Sequence, residues 1–166
     1  MKSFVYISMM FALCGCKPAA DSAWQMSSRL SFDGYPINWQ AESIKGCEQC
    51  EFKKERLLEP DGVSDVITVF QQGQWRAEHR QSHQARIVFE NGAHFLLVKT
   101  REDGLLELEN KHAELKIITK LAQPFTVNIG ENTYDAVISK FEEPRSDLGL
   151  SDPLPVKLDY TVLKSQ

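Results

Sequence analysis

From Arg29 onward, apolar side chains recur mostly at every second position. Phe125, Val127 and Ile129 alternate with polar neighbours, as do Tyr134, Ala136 and Ile138. Val156, Leu158, Tyr160 and Val162 do the same around Lys157, Asp159 and Thr161. On an extended chain successive side chains point to opposite faces, so this spacing gathers the apolar groups on one side of a sheet. On a helix it would scatter them around the axis. The pattern therefore commits most of the chain to half-buried strands before any other feature is considered.

Turn residues punctuate the alternation at Asp33-Gly34, Pro60-Asp61-Gly62, Gln72-Gly73, Asn91-Gly92, Asp103-Gly104 and Gly130-Glu131-Asn132. Asn91-Gly92 is the strongest of these. It joins two β-rich runs, residues 85–90 and 93–98, and predicts a hairpin with positive φ at both turn residues. Two stretches leave room for a short helix, residues 74–84 and 115–121. The expected architecture is all-β: an antiparallel sandwich or barrel of about eight to ten strands. Trp39, Phe70, Phe89, Phe95, Phe125, Tyr134 and Tyr160 lie at positions that suit its core. Trp75 stands apart because its neighbours are so polar.

The N-terminus follows different rules. Lys2 precedes an apolar run over residues 4–13, which as a helix would span roughly 15 Å, against about 30 Å of bilayer hydrocarbon. It is too short to cross a membrane and has the make-up of a signal segment. It ends in Leu13-Cys14-Gly15-Cys16, which resembles the lipobox of bacterial lipoproteins; Cys14 departs from the small or aliphatic residue usual at its position. The resemblance covers residues 1–16. It implies that residues 1–15 are a removed signal helix and that Cys16 receives lipid on its sulfur and new amino group. Lys17 stands where an acidic residue often marks inner-membrane retention. The resemblance therefore implies a bacterial envelope protein held at the outer membrane and facing the periplasm. Residues 16–28 then serve as lipidated Cys and tether, with an average reach of roughly 17–20 Å, and residues 29–166 form one β-rich domain.

The formal net charge is −4, which argues against nucleic-acid binding, since that needs a dense basic surface. The membrane contact is thus assigned to the lipid alone. Export also bears on the remaining cysteines. Cys47 and Cys50 stand close together in an oxidising compartment, where such a pair closes into a disulfide. A loop this small contributes roughly 2 kcal/mol.

No nucleophile elbow, zinc-protease, phosphate-loop or dinucleotide motif is present in the sequence. The expectation is a non-catalytic domain, without a cofactor, that binds a protein or cell-wall partner. Trp75, Arg76, His79, Arg80 and His83 form a candidate binding patch, because arginines beside a tryptophan are a common recognition mixture. The alternative is a metal-handling or thiol-redox lipoprotein using Cys47 and Cys50 with His79, His83 or His94. His79 and His83 would share a helix face but stand about 13 Å apart on a strand. Glu48 and Glu51 would also oppose a reactive thiolate.

Overall fold

The computed structural model describes residues 30–32, 35–60, 62–92, 94–144 and 155–165. Residues 1–15 and 16–28, read from the sequence as signal segment and tether and including Cys16, lie outside these residues, as does most of the proline-containing loop 142–155. The described residues form three antiparallel sheets. Their strands are β1 (Ser31–Phe32), β2 (Tyr35–Asn38), β3 (Ser43–Ile44), β4 (Cys50–Glu59), β5 (Gly62–Gln71), β6 (Gln74–Ser82) and β7 (Arg86–Phe89). After a 3-10 turn at Glu90–Gly92 come β8 (His94–Thr100), β9 (Leu106–Asn110), β10 (Leu115–Thr119), β11 (Phe125–Ile129), β12 (Asn132–Glu142) and β13 (Lys157–Lys164). The strands outnumber the eight to ten expected, partly because β1 and β3 are two-residue pieces. Both stretches that left room for a helix are strands, β6 and β10.

The centre is a six-stranded sheet ordered β11-β12-β13-β6-β5-β4. Its inner face packs on the four-stranded sheet β10-β9-β8-β7, and Ile87, Phe89, Leu96, Leu108, Tyr134, Ile138, Leu158 and Tyr160 fill the interface. Fully burying one such aliphatic or aromatic side chain contributes about 1.5–3 kcal/mol. The outer face carries a second cluster, in which Phe32, Ile37, Trp39 and Ile44 of the β1–β3 layer meet Val69, Ala77, Val137 and Leu163. Neighbouring residues therefore serve opposite layers: Val162 the inner, Leu163 the outer. Alternation predicts a solvated outer face, but on β13 that face is covered too.

Two register shifts adjust which side chains face inward. In β6 the pairing runs Phe70↔Trp75 and then Val69↔Ala77, leaving Arg76 as an extra residue. Trp75 consequently joins the inner cluster while Arg76 and Ala77 both serve the outer one. In β12 the extra residue is Ser139, whose hydroxyl donates to the Asp159 carbonyl at 3.0 Å.

The hairpins mostly follow their turn residues. Gln72 and Gly73 both have positive φ, 53° and 76°, and close β5–β6 as a two-residue loop. The Asn91-Gly92 hairpin forms, but with a longer loop than expected: pairing stops at Phe89↔His94, and positive φ falls on Glu90 and Gly92. Glu90 leaves the ladder at a φ of 47°, and its carboxylate is held by the Tyr134 hydroxyl and by the Lys164 ammonium at 2.7 Å. Gly62, at φ 144°, admits no side chain, since a Cβ there would come within 2.5 Å of the His83 ring.

Candidate functional site

The six-stranded sheet is wider than the sheet it faces, and a cleft of about 300 Å3 opens where β4–β6 meet β7 and β8. Glu55, Leu57, Val66, Thr68, Glu78 and Arg80 line it from the wide sheet. Arg86, Val88, Gly92 and Phe95 line it from the narrow one. The floor is unusual for a sandwich interior. Strict alternation after the Arg76 bulge turns Glu78, Arg80 and Ser82 inward, and all three are buried.

These groups form one network. Arg80 Nε donates to Glu78 Oε1 at 2.9 Å, and its Nη1 reaches Glu59 Oε1 at 3.5 Å. The Ser64 hydroxyl donates to Glu59, and Ser82 Oγ lies 3.4 Å from the same carboxylate. Burial raises the Glu78 pKa, against the opposing pull of Arg80. Burial also works against the Arg80 charge, but the surrounding negative groups, the Glu78 and Glu59 carboxylates among them, outweigh it and raise its pKa. Tyr160, pushed upward by burial, keeps its proton and accepts the Val88 amide at 2.9 Å.

Arg86 differs from Arg80. Its guanidinium lies over the Phe95 ring, 6.0 Å from the centroid, and its Nε is buried without a hydrogen-bond partner among the described residues. An unmet buried donor costs about 1–3 kcal/mol. The cleft thus offers one cation fully engaged by carboxylates, one with a donor to spare, and an apolar wall of Leu57, Val66, Val88 and Phe95.

The residues singled out from the sequence are divided among several places. Arg80 lines the cleft. Trp75 belongs to the inner core, stacked edge-on to Tyr134, and is not a surface platform. Arg76 lies on the outer face, over the Phe32 ring at 5.2 Å. His79 also faces outward, buried beside Trp39 and 3.0 Å from Thr161 Oγ1; burial lowers its pKa to about 4. His83 follows the end of β6, against Gly62. The five do not form one continuous surface. His94 is exposed at the start of β8.

Cys47 and Cys50 are joined as a disulfide beside the outer cluster. In that form they present no thiolate to a metal. Among the described residues no group of three or more His, Cys, Asp or Glu side chains is placed to hold a metal ion. A second cavity of about 320 Å3 lies on the outer side, lined by His79, Ile67 and Gln81 and bordered by the Arg56–Asp65 ion pair.

Sequence reasoning passed over Glu59, Glu78 and Arg86. The signal was present: Glu78 and Arg80 stand at alternate positions of a strand whose neighbours pair with apolar residues, and charges at inward positions mark functional or strained sites. Compared with known proteins, the chain matches no family model, no curated protein and no solved structure.

Proposed function

We propose that the chain is a lipid-anchored protein of the bacterial envelope whose β-sandwich binds a protein or cell-wall partner and performs no chemistry of its own. The observation that carries this reading is Leu13-Cys14-Gly15-Cys16 at the end of an apolar run too short to span a bilayer. Acyl chains on Cys16 would anchor the chain, since each buried methylene contributes about 0.8 kcal/mol. Lys17 favours the outer membrane, with the domain in the periplasm. The inter-sheet cleft supports the binding half of the reading, because a concave site with an apolar wall and a few polar groups is the usual form of a recognition site.

Metabolic labelling with a fatty-acid probe tests the anchor. The expected product is labelled and sediments with membranes, while Cys16→Ser is unlabelled and retains its signal segment. An unlabelled wild-type product that washes free of membranes would overturn the reading. Crosslinking in intact envelopes tests the binding half, with a reproducible partner expected.

A further inference from the structure

We propose that the inter-sheet cleft receives the carboxylate of an apolar acid, with Arg86 as the group that binds it. The proposal rests on the reading of this cleft as the binding site and adds the chemistry of the ligand.

Arg80 spends its charge inside the protein, on Glu78 and Glu59. Arg86 makes no ion pair among the described residues, and its buried Nε has no acceptor there. Arg86 lines the cleft and is only partly buried, so its two Nη groups, rather than the enclosed Nε, form the fork that would take the two oxygens of a carboxylate. The guanidinium lies over the Phe95 ring, 6.0 Å from its centroid, which adds a cation–π attraction on that side. Arg76 also has a buried Nε without a described partner, but it lines neither cavity.

The surroundings then select the rest of the ligand. Leu57, Val66 and Val88 supply an apolar wall next to the cation. Glu55 and Glu78 line the same cleft and disfavour a second negative charge, so a dianion such as phosphate fits poorly. A volume of about 300 Å3 is at the small end for ligand sites and suits one branched side chain with its carboxylate. That chemistry is shared by a free apolar acid and by the last residue of a peptide chain.

Calorimetric titration of the full lipidated protein in detergent micelles tests this. The probes are N-acetyl-leucine, N-acetyl-leucine amide, a tetrapeptide ending in leucine and its C-terminal amide. The acids should bind, and each amide should bind roughly ten- to a hundredfold more weakly, as expected for loss of a charge-assisted hydrogen-bonded pair. Arg86→Gln should weaken the acids to the level of the amides, and Arg86→Lys should recover only part of the loss, because it keeps the charge but not the fork. The acid-against-amide comparison on wild-type protein stands even if the variants fail to fold. Tighter binding of the tetrapeptide supports a chain terminus as the source, and tighter binding of acetyl-leucine supports a free acid. Equal binding of acid and amide, or no binding of either, overturns the carboxylate assignment. Neither result touches the lipid anchor, whose failure is read separately from labelling at Cys16.

Discussion

Two glutamates of this protein are nearly inaccessible as residues, yet their environments drive them in opposite directions. Glu78 lies inside the sandwich with Arg80 as its direct cation, and burial raises its pKa. Glu107 lies on β9 with Lys99 at 2.7 Å, Lys116 at 2.9 Å and Arg101 at 4.0 Å, and hydrogen bonds from the two lysines bring its pKa down to about 2. Glu107 is covered by flexible cationic side chains that water still reaches, whereas Glu78 is covered by a packed interior. The difference lies in what does the covering: a shell of opposite charge favours the ionised form, and a shell of protein opposes it.

The contrast can be tested from its most sensitive point downward. Arg80→Met should have the largest effect, because it leaves Glu59 and Glu78 in the interior without their cation. A loss of about 3–5 kcal/mol by urea denaturation is expected, and a loss well under that range would show that the network is solvated. Glu78→Gln should change stability at neutral pH by only roughly 1 kcal/mol, since the desolvation it relieves offsets the hydrogen bond it weakens.

The pH dependence separates the two residues more sharply. A raised folded pKa means that Glu78 costs stability above its unfolded value near 4.5, and that this cost is relieved as pH falls through the raised pKa. A lowered folded pKa means that Glu107 adds stability above about 4.5, and that this is lost as pH falls from there toward about 2. Thermal melts should therefore show a shallower decline for Glu107→Gln than for wild type between about pH 4.5 and about 2, and a steeper decline for Glu78→Gln as pH falls toward about 4.5 from above, where wild type gains stability by protonating the buried carboxylate. Parallel profiles would break the comparison. The smallest effect is expected for Lys99→Gln, whose ammonium is exposed. Any change in melting temperature there should vanish at high salt, while the Arg80→Met defect persists.

The period-two spacing was enough to read an all-β antiparallel fold, since each alternating run between residues 125 and 162 became a strand. The third layer was less legible. Thr161 and Leu163 look solvent-facing by alternation but are buried, Leu163 in the cluster formed by residues more than a hundred positions earlier and Thr161 against His79 of the neighbouring strand. Trp75 was misread for a local reason, the extra residue Arg76, which no turn signal announces. The cleft was only partly readable. Arg80 drew notice as part of a charged run, but its partner Glu59 and the opposing Arg86 come from other strands, and only strand order brings them together. The Leu13–Cys16 motif, by contrast, is read directly from adjacent residues.

The hydrogen bond between Tyr160 and Val88 has a consequence for how the two facing sheets are tied to one another. β7 is the last strand of its sheet, beside the cleft, and the Val88 amide points away from β8. Without the phenol that amide would be a donor shut inside the sandwich with no acceptor, since Tyr160 is fully buried and Val88 nearly so. The phenol occupies it from within the same chain. Losing one hydroxyl, as in Tyr160→Phe, would therefore strip the narrow sheet of an interior tie and weaken each molecule by about 1–3 kcal/mol.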